Sequence, residues 1–171
     1  MNKVYLFYLF SLCSFNLYAD QTKINITAKV LKTTCSISSS STDFIVNMKN
    51  SNLRGQSVGI PFGKAPFSIT LDNCPEGINL AHVTFSGESD PVMSNLLKIS
   101  DDEDASATGI AIALYDDKGN IIDISKNNTD FTINHDVNNY VFNFSAAYIK
   151  TSEMTSSGKV VAVAYFDINY E

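Results

Sequence analysis

The sequence predicts an all-β protein, and three observations carry that expectation. Apolar and polar residues alternate over short runs, the period of two that commits one face of a strand to a core. The runs are separated by polar stretches rich in Ser, Thr and Asn. No stretch keeps helical apolar spacing for longer than about two turns. At 171 residues the chain is long enough for one domain with a real core and short for two.

The first nineteen residues read as an export signal. Lys3 gives a positive start, residues 4–12 are almost purely apolar, and Leu17-Tyr18-Ala19 ends on a small residue before Asp20. The apolar run is too short to span a bilayer and is broken by Ser11, Ser14 and Asn16. Cys13 follows Leu12, where lipid attachment needs a small residue, so no lipid anchor is expected. Cleavage before Asp20 leaves 11 basic and 18 acidic side chains, a net charge of −7. An acidic chain without a basic cluster argues against nucleic acid or an anionic membrane as partner.

Residues 20–34 carry an unattached stripe. Ile24, Ile26, Ala28 and Val30 alternate with Asn25, Thr27, Lys29 and Leu31. On its own this reads as an ordinary first strand. Cys35 and Cys74 are the two cysteines left after cleavage, and an oxidising compartment favours their pairing. Closing that loop stabilises the fold by about 4 kcal/mol in the chain-entropy model. A metal or catalytic thiol lacks neighbouring ligands.

Residues 38–42 read as a flexible serine run, 44–48 as a short strand, and the Asn- and Gly-bearing stretch to Gly59 as a loop. In 66–75 Phe67, Ile69 and Leu71 share a face, and the turn Cys74-Pro75-Glu76-Gly77 follows. Ala81, Val83 and Phe85 point inward from the next strand, with His82 on its opposite face. Leu97 and Ile99 precede an acidic run, 101–104, that lacks the carboxylate spacing of a Ca²⁺ loop and reads as a solvated turn. Ile110, Ile112 and Leu114 alternate into an Asp-Lys-Gly turn, and 121–124 return. Tyr140, Phe142, Phe144, Ala146 and Tyr148 form the next stripe.

The last stretch, 158–171, is the most regular. Beyond Gly158, the even positions Val160, Ala162, Ala164, Phe166, Ile168 and Tyr170 are all apolar. The odd positions are apolar at Val161, Val163 and Tyr165, then polar at Asp167, Asn169 and Glu171. An apolar strand with no further strand after it is expected to be an edge that another chain covers. Strands every ten to twenty residues, polar turns and one disulfide describe an immunoglobulin-like sandwich.

These features together resemble the pilin subunits of chaperone–usher pili. The resemblance rests on Gly158, fourteenth from the end, with its alternating strand and penultimate Tyr170. It rests also on the F-x-I-x-L-x-x-C strand ending at Cys74, whose partner cysteine lies about forty residues earlier. The A-T-G-I-x-I-x-L-Y-D-x-x-G run from Ala107, the strand 140–148 and the N-terminal stripe complete it, so that it covers nearly all of 20–171. It implies a signal peptide (1–19), a donor-strand extension (20–34) and a pilin domain (35–171). The domain would be an incomplete sandwich lacking its last strand and completed by a donor strand from another chain. Ile24, Ile26, Ala28 and Val30 would be the donor residues, with Ala28 where the family usually has glycine. The stretch from Gly158 to Tyr170 would accept first a periplasmic pilus chaperone's strand, then a neighbouring subunit's at an outer-membrane usher. Residues 19–22, Ala-Asp-Gln-Thr, resemble the ADxTI-like start of short adaptor pilins, which favours a minor or adaptor place in the fimbria over the major rod. The alternative is a self-sufficient secreted binding module that uses 24–30 as its own strand.

No chemistry-bearing constellation emerges. His135 beside Asp136 reads as a solvated loop residue, and no third group has a claim to be its nucleophile. There is no phosphate-binding glycine loop and no paired metal-ligand motif. Asn25, Asn127 and Asn143 begin N-x-S/T triplets, which matter only in a eukaryotic secretory host. Neither an enzyme nor a cofactor or small-molecule substrate is expected.

Overall fold

A computed structural model describes residues 34–101 and 105–171. The export signal, the stripe of Ile24, Ile26, Ala28 and Val30, and most of the acidic run lie outside the described residues. In chain order the elements are β1 (Ser36–Ile37), helix α1 (Ser39–Thr42), β2 (Pro61–Asp72), β3 (Leu80–Gly87) and β4 (Leu97–Lys98). Strands β5 (Ile110–Tyr115), β6 (Ile121–Ile122), β7 (Thr129–Thr132), β8 (Asn139–Lys150) and β9 (Ala164–Tyr170) follow.

These strands form two antiparallel sheets. One runs β1-β2-β8-β5-β4, with β6 also on β5, and the other runs β7-β3-β9. The alternating residues meet in a core where Ile69, Leu71, Ala81 and Val83 are fully buried, beside Ile110, Ile112, Leu114 and Phe142. Aromatic contacts bind the sheets: Phe85 meets Phe144 edge-on at 4.9 Å between ring centroids, and Phe131 stacks on Phe142 at 4.1 Å. Such pairs contribute about 0.5–1.5 kcal/mol each beyond the area they bury. Cys35 and Cys74 are joined by a disulfide that fastens the start of the domain beside the end of β2.

Several local features differ from the sequence reading. Residues 38–42 are not a flexible run: they contain α1, and Ser41 is buried with its Oγ accepting from Thr70 N–H at 2.9 Å. Strand β2 starts at Pro61, not Pro66. β1 flanks only its far end, at Leu71 and Asp72, so neither proline removes a ladder bond to β1. A register shift between Phe62 and Ala65 surrounds Gly63, whose φ of 61° suits glycine. Strand β5 is buried on both faces, because Leu96 and Met93 cover Ala111, Ala113 and Tyr115 from outside. Strand β7 had no clear signature in the sequence: its four residues, TDFT, supply only Phe131 to the core.

The stretch 44–48 is not a strand. Phe44, Val46 and Met48 are half-buried while Ile45 and Asn47 are exposed, so the alternation survives without a ladder. A strand is defined by its hydrogen-bonded neighbour, and among the described residues this stretch has none.

Candidate functional site

Strand β9 is an edge. It pairs with β3 from Ala81↔Tyr170 through Phe85↔Phe166 to Gly87↔Ala164, and β3 is its sole strand partner among the described residues. Strand β9 thus covers only part of the stretch 158–171, because the chain changes neighbours. Before Ala164 the segment is held by Ser100 and residues 105–108: Ser100 N–H donates to Val161 O at 2.7 Å, and Ala107 N–H to Lys159 O at 3.0 Å. The Thr108 and Ser156 hydroxyls add a 2.9 Å bond. Gly158 sits where this clasp is tightest. A Cβ there would collide with the backbone of Ala105, Ser106 and Ala107, so only glycine lets the two segments lie this close.

The even face of this segment points at the core without being enclosed by it. Val160, Ala162, Phe166, Ile168 and Tyr170 pack against core residues yet stay half-buried, and Ala164 is exposed. Burial is still enough to push the Tyr170 phenol above its ordinary pKa. The stretch 44–53 also reaches this core, through half-buried Val46, Met48 and Leu53, and Tyr148 Oη donates to Lys49 O at 3.3 Å. A path of rings links the two sides, with centroid distances of 5.9 Å for Phe44–Phe67, 6.3 Å for Phe67–Phe85 and 6.4 Å for Phe85–Phe166. Near Gly158 the two segments line a pocket of about 470 Å³ with Met48, Leu53, Phe62, Ile110, Tyr148 and Val160 on its walls.

The site therefore presents a row of half-covered apolar side chains beside strand backbone. An added strand can bond to such backbone while its side chains fill the gaps. The histidines lie elsewhere. His135 Nε2 donates to Ile78 O at 2.8 Å, and His82 bonds Asp130 on the outer face of β3. No three His, Cys, Asp or Glu side chains among the described residues are grouped to hold a metal ion.

Two side chains that sequence reasoning passed over close other edges. The Asn127 amide accepts from Phe85 N–H at 2.7 Å and donates to Phe85 O at 2.7 Å, imitating a neighbouring strand. Its signal in the sequence was only a triplet with a different meaning. The Ser41 hydroxyl, within a serine run, accepts from Thr70 N–H of β2.

Comparison with known proteins points one way. The sequence matches the fimbrial protein family over residues 24–171. The fimbrial-like protein YcbV of Escherichia coli K12 is 30% identical over 155 residues, 91% of this chain and 89% of the relative. A crystal structure of an antigen and type I fimbria protein of Burkholderia pseudomallei superposes with a TM-score of 0.61 and 32% identity, covering 80% of this chain and 89% of the other. The P pilus rod subunit PapA shares the fold, with a TM-score of 0.62 at 22% identity over 80% of this chain and 99% of its own.

Proposed function

The chain belongs to the fimbrial protein family, and on that premise we propose that this pilus structural subunit is a link in a polymer joined by strand donation between chains. The observation that carries the proposal is the half-buried even face of β9 beside an edge with no strand partner among the described residues. A donated strand lying along that edge would cover Val160, Phe166, Ile168 and Tyr170. In the export pathway the first donor is a periplasmic chaperone. At an outer-membrane usher, the stripe Ile24, Ile26, Ala28 and Val30 of a neighbouring subunit replaces it. Residues 20–30 extended reach about 36 Å, enough to run the whole edge.

The magnitudes suit a lasting contact. Burying two isoleucines and one valine at about 1.5–3 kcal/mol each gives a gross gain of roughly 5–9 kcal/mol. Ladder hydrogen bonds add about 1 kcal/mol each. Such a fibre needs no covalent link between subunits. The adaptor-like start at residues 19–22 supports a minor position for this subunit in the fimbria at the cell surface.

Deleting residues 20–30 tests the reading. If the stripe serves another subunit, the truncated chain still folds on its chaperone and accepts a donor peptide, but cannot insert into the next subunit, and assembly stops there. If the stripe is this domain's own strand, the deletion removes roughly 5–9 kcal/mol of burial, comparable to a domain's whole stability of about 5–15 kcal/mol. The chain is then degraded and no chaperone complex is recovered, which overturns strand donation in favour of a self-sufficient binding module.

A further inference from the structure

His82 stands on the outer face of β3, the middle strand of its sheet, and both neighbouring strands bring it a carboxylate. Nδ1 donates to Asp130 Oδ1 of β7 at 2.7 Å. Nε2 lies 3.4 Å from Glu171 Oε1, just past the end of β9, an ion-pair distance without hydrogen-bond geometry. The imidazole is only 16% exposed, and Nε2 is shielded from solvent without a hydrogen-bond partner. Asn128 Nδ2 approaches Nδ1 at 3.4 Å from the β7 side. On β9, Asn169 stands opposite His82 in register, and Asp167 opposite Thr84 on the same face.

A neutral imidazole has one N–H and can donate to one carboxylate; an imidazolium keeps that bond and also attracts the second carboxylate by its charge. We propose that His82 is a proton-operated latch that, when charged, ties both edge strands of this sheet to β3 and, when neutral, releases the Glu171 end. The point of attachment matters, because the ladder between β3 and β9 ends there. Glu171 N–H donates to Leu80 O at 3.0 Å, and Leu80 N–H to Glu171 O at 3.2 Å. The hydrogen bond to Asp130, then the charges of Asp130 and Glu171, hold the His82 pKa above its ordinary 6.5 against the opposing effect of burial. The sign follows. A raised pKa in the fold means the latch's contribution is complete below about pH 6.5 and is lost as pH rises through the folded value. The latch concerns pairing within this chain and stands whether or not the β9 edge receives a donor.

The test uses the full chain after signal removal, with NMR titration of the His82 ring and hydrogen exchange at the Leu80 and Glu171 amides. His82 is expected to titrate above 6.5, and protection of the two amides, corrected for intrinsic exchange, to fall several-fold between pH 6 and 8.5. In His82→Gln that fall disappears, while in His135→Gln it persists. Glu171→Gln is expected to lower the His82 titration midpoint and weaken the effect. A wild-type ring titrating at or below 6.5, or a pH-dependent loss of protection that survives in His82→Gln, overturns the proposal. The ring titration is read on the unmutated chain and decides the matter even where a variant folds poorly.

Discussion

Strands β2 and β9 carry nearly the same pattern, Phe67-x-Ile69-x-Leu71 in one and Phe166-x-Ile168-x-Tyr170 in the other, and they end differently. Ile69 and Leu71 are fully buried, whereas Phe166, Ile168 and Tyr170 are half-buried. Hydrophobicity does not separate them; the neighbours do. Strand β2 has β8 on one side. On the other it has β1, a bond from Ser38 N–H to Thr70 O at 2.9 Å, the Ser41 hydroxyl on Thr70 N–H, and the disulfide. Strand β9 has β3 on one side and no strand on the other among the described residues. The far end of β2, at residues 70–72, is closed from within the chain, and β9 has no such cover among the described residues.

Substitutions can break this contrast. The largest effect is expected at the closed edge: Leu71→Ala leaves a cavity in a fully enclosed site and costs about 2–5 kcal/mol, read by chemical denaturation of the full chain. Ser41→Ala removes the acceptor for Thr70 N–H and costs about 1–3 kcal/mol by the same measurement. Loss of ordered amide protection at Thr70 would identify the cause. The smallest effect on stability is expected at the open edge. Ile168→Ala costs about 1 kcal/mol, since only part of its area is already removed from water. The same substitution should sharply weaken capture of a strand-donating partner, measured by co-purification with the cognate chaperone. An Ile168→Ala cost as large as that of Leu71→Ala would mean that β9 is as enclosed as β2, and the contrast would fail.

Which side chains share a face was legible in the order of residues alone. The period-two stripes of β2, β3, β5, β8 and β9 put Ile69, Val83, Ile112, Phe142 and Ile168 on the core side, and all five are part of it or packed on it. Two remaining cysteines permitted one pairing, and Cys35–Cys74 is that pairing. What lies beside each strand was settled by the packed fold. Residues 44–48 keep their alternation but lack a ladder among the described residues, β5 is covered on its outer face, and β9 begins at Ala164, where β3 takes over from Ser100 and residues 105–108. The contacts that set these outcomes span long stretches of chain: 29 residues from Ser41 to Thr70, 42 from Phe85 to Asn127, 48 from His82 to Asp130. Periodicity is a local property, fixed by the backbone's own geometry, so it can be read from neighbours in sequence. Hydrogen-bond closure of an edge depends on groups that only the packed fold brings together.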